Sequence, residues 1–116
     1  MRLLNEIECK RAMEKGEFEL SEFAAGSGSG AVILTQSWCP QWKAMKNYLP
    51  ELEKRHNNLK ILYIEYDQLP FFEEFMTFKE NILQNREIPF VLFYKDGKCS
   101  STSNYLSLEG FLQRLG

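Results

Sequence analysis

The sequence is poor in the residues that build metal cages and disulfide frameworks, with one histidine and three cysteines among 116 residues. His56 stands alone, and Cys9, Cys39 and Cys99 are not at metal-ligand spacing, so no metal site is expected. Three scattered cysteines also exclude the framework of a small secreted domain. No apolar run approaches the roughly 20 residues that a bilayer crossing needs, so no membrane partner is expected. The N-terminus turns polar at Asn5-Glu6, before a signal-peptide core could form, and the expected compartment is the cytoplasm. Neither charge is in excess: 14 basic and 16 acidic residues give a net −2. The densest basic stretch, Lys43 to Lys60, is interrupted by Glu51 and Glu53, so no stripe for nucleic acid exists.

What is present fits one ordinary core. Hydrophobic residues make up 44% of the chain, enough to exclude disorder. A single domain over residues 1–116 is expected, with an N-terminal helix and a flexible Gly/Ser loop in 1–30 and the core in 31–116. Leu3 to Lys15, free of Gly and Pro, reads as the helix, with Gly16 as its stop. Glu17 to Phe23 is either a short strand or irregular. Gly26-Ser27-Gly28-Ser29-Gly30 reads as a loop; it opens the strand Ala31-Val32-Ile33-Leu34 rather than a helix, which argues against phosphate binding.

A helix is predicted from Pro40, with Trp42, Met45, Leu49 and Leu52 as its buried stripe and a kink at Pro50. Leu59 to Tyr66 is a strand. Phe71, Phe75, Phe78 and Ile82 mark an amphipathic helix. Ile88 to Lys95 is a strand, Asp96-Gly97 a hairpin turn, and Cys99 to Tyr105 an edge strand. Ser107 caps a last helix with the stripe Leu108, Phe111, Leu112 and Leu115. This order predicts an α/β fold, a mixed sheet with helices on both faces.

Cys39 is the principal candidate for chemistry. It stands where a buried strand meets a helix N-terminus, and Lys43 follows one turn on. Backbone N–H groups and a nearby cation favour a thiolate, the nucleophile of disulfide exchange. The alternative is a buried, inert cysteine.

From Val32 to Leu115 the sequence resembles the thioredoxin superfamily. Trp38-Cys39-Pro40-Gln41-Trp42-Lys43 stands where that family has Trp-Cys-x-x-Cys-Lys. Tyr66-Asp67-Gln68-Leu69-Pro70 resembles its strand-end Asp-x-x-Pro, and Arg86-Glu87-Ile88-Pro89 the approach to its cis-proline strand. Leu106 to Leu112 resembles the entry to its last helix. The resemblance implies a thioredoxin fold and a catalytic Cys39. It implies supporting roles for Trp38, Pro40, Trp42 and Lys43, and a substrate groove at Ile88 and a cis Pro89. Partners would be protein or small-molecule thiols and disulfides, glutathione among them. No cofactor and a monomeric state are expected.

Three departures bear on function. Trp42 replaces the resolving cysteine, Ile33 replaces the buried acid six residues before the first cysteine, and the segment between Pro70 and Arg86 is long. The full dithiol cycle therefore does not carry over. Cys99, past the hairpin, lies over 20 Å from Pro89 at about 3.3 Å per strand residue. His56, far along the helix from Cys39, is roughly 25 Å away at about 1.5 Å per residue, which excludes a Cys–His hydrolase. Gly97-Lys98-Cys99-Ser100 is a poor counterpart of the glutathione-binding stretch of cluster-binding monothiol glutaredoxins.

Three readings follow. A monothiol protein would use Cys39 to form mixed disulfides; a redox-inactive module would bind partners in the groove beside Pro89. In the third, a UGA codon at position 42 would specify selenocysteine rather than Trp42. If Trp42 is native, it should point inward, into space left where many thioredoxins have a tryptophan and this chain has Thr35.

Overall fold

The computed structural model describes residues 1–23, 28–56 and 58–115. Five strands form one mixed sheet in the order β1-β3-β2-β4-β5. They are β1 (Arg2–Leu3), β2 (Ser29–Thr35), β3 (Leu59–Glu65), β4 (Phe90–Lys95) and β5 (Lys98–Ser103). β1, β3 and β2 run parallel; β4 is antiparallel to β2, and β5 to β4. Alternation along β2 sends Val32 and Leu34 to one face, where Leu62, Ile64, Phe90 and Leu92 join them. Helices α1 (Glu6–Lys15) and α4 (Phe72–Thr77) cover that face with Cys9, Ala12 and Phe75. Ala31 and Ile33 face the other way with Ile61, Val91 and Phe93, beneath α2 (Pro40–Lys46), α3 (Leu49–Arg55) and α5 (Leu108–Leu115). Helices on both faces of a mixed sheet are what the element order predicts.

Several boundaries differ from the sequence reading, each for a local reason. The first helix begins at Glu6, because Asn5 accepts the Glu8 N–H while the Glu8 carboxylate accepts the Asn5 N–H. That capping box frees Arg2–Leu3 to add to the edge of β3 as a strand. Glu17 to Phe23 forms no strand; Ser21–Phe23 is a 3₁₀ turn that lays Phe23 on Tyr94. Gly26 and Ser27 lie outside the described residues, but Ser29 and Gly30 belong to β2 rather than to a loop. The expected kinked helix is two helices separated at Asn47-Tyr48, with Pro50 in the first turn of α3, where its missing N–H costs nothing. Of the last stripe only Phe111 is fully buried; Leu108 and Leu112 are 43% and 37% exposed. The hairpin turn is as expected, with φ of 52° at Asp96 and 83° at Gly97.

Gly30 is required by close approach. A Cβ there would fall 2.1 Å from the Phe23 ring. Gly30→Ala is therefore expected to destabilise the protein by about 1–3 kcal/mol, read as a lowered thermal midpoint.

Candidate functional site

β2 ends at Thr35, and four residues, Gln36 to Cys39, carry the chain to the start of α2. Cys39 is the N-cap of that helix, in extended backbone at φ −68° and ψ 118°, and Pro40 occupies the first helical position. The connecting loop is braced from the 3₁₀ turn Tyr66–Gln68 that follows β3. The Asp67 carboxylate accepts the Ser37 N–H at 2.7 Å and the Ser37 hydroxyl, while Gln68 donates to Asp67 at 3.0 Å. Burial disfavours the Asp67 charge, but these hydrogen bonds outweigh it and hold the carboxyl below its ordinary value of 3.8. The strand-end aspartate thus fixes the loop that presents Cys39.

The sign of the linkage follows. Asp67 contributes stability in full above its ordinary value, and that contribution is lost as pH falls through the lower folded value. Asp67→Asn is expected to cost about 1.5–3 kcal/mol at neutral pH, the worth of hydrogen bonds to a charged group. The gap to the wild type should close in acid. A denaturant series against pH measures both.

Opposite Cys39 stands the start of β4. The Ile88–Pro89 peptide bond is cis, Pro89 is buried, and the Ile88 carbonyl lies 3.9 Å from Cys39 Sγ. Trp38, at 59% exposed, lies outside the core, its Nε1 donating to Gln36 Oε1. Pro40 and Lys43 are exposed. Cys39 itself is only 4% exposed.

Trp42 points inward and is wholly buried. Its ring packs on Tyr63 at a centroid distance of 5.4 Å, and its Nε1 donates to Glu65 Oε2 at 2.7 Å. Lys46 donates to the same oxygen at 3.1 Å. Thr35 pairs with Glu65 in the β2–β3 register, which places it on the same sheet face. It is wholly buried, and its Oγ1 has no hydrogen-bond partner among the described residues.

The other two cysteines are elsewhere. Cys9 is fully buried on the opposite face of the sheet, where burial and the charges of Glu8 and Glu6 push its thiol up to about 12. Cys99 is exposed on β5 and pairs with Tyr94, at the far end of β4 from Pro89. Among the described residues, no group of His, Cys, Asp and Glu is placed to hold a metal ion. Their helices include none long and apolar enough to cross a membrane.

Solved structures share this fold. Thioredoxin O1 from Arabidopsis thaliana, in its oxidized state, matches with a TM-score of 0.67 at 19% identity over 98% of this chain and 96% of that one. Plasmodium falciparum thioredoxin matches at 0.65 and 16% identity, over 99% and 96%. The chain has the thioredoxin fold. A structure from work on thiol resolution in yeast mitochondrial 1-Cys peroxiredoxin by the glutathione and thioredoxin systems matches at 0.66 and 13% identity, over 99% and 92%. No protein-family profile and no curated protein matches the sequence.

Within the thioredoxin fold, the sequence reading missed three polar residues beside the site, Lys79, Asn85 and Asn104. The one signal it held was Lys79 itself, four residues after Phe75 on the apolar stripe of its helix.

Proposed function

We propose that this protein acts in thiol–disulfide chemistry through one active-site cysteine, Cys39. The observation that carries the reading is the placement of Cys39 Sγ at the start of α2, 3.9 Å from the Ile88 carbonyl, with both other cysteines elsewhere in the fold. Pro40 sets the first turn beneath the sulfur, Trp38 flanks it, and Lys43 supplies a positive charge one turn on. Trp42 fills the position from which a second thiol would act.

The thiolate of Cys39 attacks one sulfur of a disulfide. The S–S bond breaks, the other sulfur leaves as a thiolate and takes up a proton from solvent, and a mixed disulfide remains on Cys39. An external thiol, of which glutathione is the abundant example, then attacks the sulfur of the bound group and returns Cys39 to the thiolate. Two electrons pass between external partners, and the protein finishes unchanged.

Incubation with glutathione disulfide tests this. Intact-mass spectrometry should show one glutathionyl group added, removed by excess dithiothreitol and absent in Cys39→Ser. One observation favours a second reading, a redox-inactive module that binds partners beside Pro89: Cys39 is 4% exposed. Failure of the reduced, folded protein to take up any glutathionyl group would decide for that module.

A further inference from the structure

The Cys39 sulfur is nearly enclosed, and its one hydrogen-bond partner among the described residues is an acceptor. The thiol donates to the Ile88 carbonyl at 3.9 Å. Cys39 caps α2, but its side chain accepts no N–H of the first turn, and Pro40 at the first helical position has none to give. Ionisation therefore sets an anion against a carbonyl oxygen. A charged sulfur in such a place is costly without a donor. It is also a poor leaving group, because departure from a mixed disulfide is fastest when the departing thiolate is stable.

The donors of the loop before Cys39 are committed elsewhere. Ser37 gives its N–H and its hydroxyl to Asp67, Trp38 gives its indole N–H to Gln36 Oε1, and the Cys39 N–H goes to the Gln36 carbonyl at 3.2 Å. One hydroxyl is not. Tyr66, just past the end of β3, is 2% exposed, and its Oη accepts from Gln36 Nε2 at 3.2 Å. Its own proton has no acceptor among the described residues. The ring is fixed by Phe72 and Phe75, at centroid distances of 5.7 and 5.4 Å. Gln36 thus holds this hydroxyl with its side chain and the Cys39 backbone with its carbonyl. Ile88 packs against the buried residues on both faces of the sheet, Tyr66 among the first and Cys39 among the second. Burial, then the charges of Glu80, Asp67 and Cys39, push the phenol up against the opposing pull of the Gln36 bond, so it keeps its proton at neutral pH. A Cys39 charge that acts on this hydroxyl is within electrostatic reach of it.

We propose that Tyr66 is a further catalytic residue of this site: its hydroxyl, oriented by Gln36, donates a hydrogen bond to the Cys39 sulfur whenever that sulfur carries charge. The proposal rests on the proposed role of Cys39 and assigns the group that lets its mixed disulfide be resolved. An external thiolate attacks the sulfur of the bound group and forms a new S–S bond there. The old S–S bond breaks, and its electron pair goes to Cys39. Tyr66 meets that charge with a hydrogen bond and keeps its own proton. With Trp42 in place of a second thiol, the rate of this step depends on how readily Cys39 leaves.

The test follows release from Cys39. Protein carrying Cys99→Ser is glutathionylated with glutathione disulfide, mixed with excess dithiothreitol and quenched in acid at timed intervals, and intact-mass spectrometry gives the rate. Tyr66→Phe should release glutathione about five-fold more slowly, because Cys39 departs as a less stabilised thiolate. Gln36→Leu, which leaves the hydroxyl unheld, should slow release about two-fold or more. A merely structural role has the opposite sign: loosening the loop over a sulfur that is 4% exposed would open it to attack. Release from Tyr66→Phe as fast as from the parent, or faster, overturns the proposal. If Tyr66→Phe does not fold, Gln36→Leu decides by the same criterion. If no adduct forms on the parent protein, the redox reading has failed instead, and the titration of Tyr66 decides. Followed by the ¹³Cζ NMR signal that Tyr66→Phe lacks, the proton-dissociation constant of the phenol should be about two-fold larger or more in Cys39→Ser, which removes the charge beside it. An equal constant ends the proposal.

Discussion

Trp42→Ala is expected to lower the free energy of unfolding by about 3–5 kcal/mol, a large part of the roughly 5–15 kcal/mol that holds a domain together. The indole is wholly buried between α2 and the sheet, against Tyr63, and removing it opens a cavity that the surrounding elements cannot fill. The substitution also leaves Glu65 without the indole N–H, with only Lys46 among the described residues on that oxygen. Trp42→Phe separates the two effects: it keeps most of the volume and should cost about 1.5–3 kcal/mol, the worth of a hydrogen bond to a carboxylate. Urea unfolding measures each, with an unchanged slope showing that only stability has moved. The space Trp42 fills is expected to be the space that a large side chain at position 35 would take. Thr35 lies on the same sheet face, beside Glu65 in register, with no room taken by a large side chain of its own. Thr35→Trp should overpack this region and cost about 1–3 kcal/mol. Combined with Trp42→Ala it should recover part of the loss, because both side chains compete for one volume. Strictly additive losses would show that the two residues occupy separate spaces.

Trp42→Cys is expected to turn a one-thiol site into a two-thiol site. The position is inward-facing in the first turn of α2, three residues from Cys39, so the new thiol would lie beside the existing one. On oxidation the two sulfurs should close an intramolecular disulfide, seen as a loss of both free thiols without added mass from a partner. A glutathione adduct that persists on the wild-type protein should then be released by the second thiol. Acceleration of insulin reduction by dithiothreitol should appear in the variant and be weak or absent in the wild type. Turnover in the wild type as fast as in the variant would require another resolving cysteine. Cys9 is poorly placed for that, buried across the sheet with its thiol pushed up to about 12. The variant also loses the indole, so these measurements belong well below its unfolding midpoint.

Much of this was legible in the sequence because it is local. An apolar run such as Ala31 to Leu34 must be buried on both sides, and the Asp96-Gly97 pair fits a tight hairpin. Cys39 before Pro40 marks a helix start whatever the rest of the chain does. Features of this kind led to the mixed sheet, the order of its strands in the chain, and the cysteine on which the proposed function rests. Other features depend on partners distant in sequence, and no periodicity reports them. Arg2–Leu3 is a strand only because the edge of β3 offers backbone groups to pair with. Gly30 is fixed by a ring from Phe23, and Lys79 by carbonyls on a loop that the fold brings over it. The stripe on α5 was read correctly as periodic, yet only Phe111 of it is fully buried, since burial depends on what lies opposite. The sequence by itself determined that one cysteine lies at a strand–helix junction. Only the tertiary structure decided that Cys9 and Cys39 are on opposite faces of the sheet, because the face a side chain occupies is set by how helices cross over strands and not by the chain's local pattern.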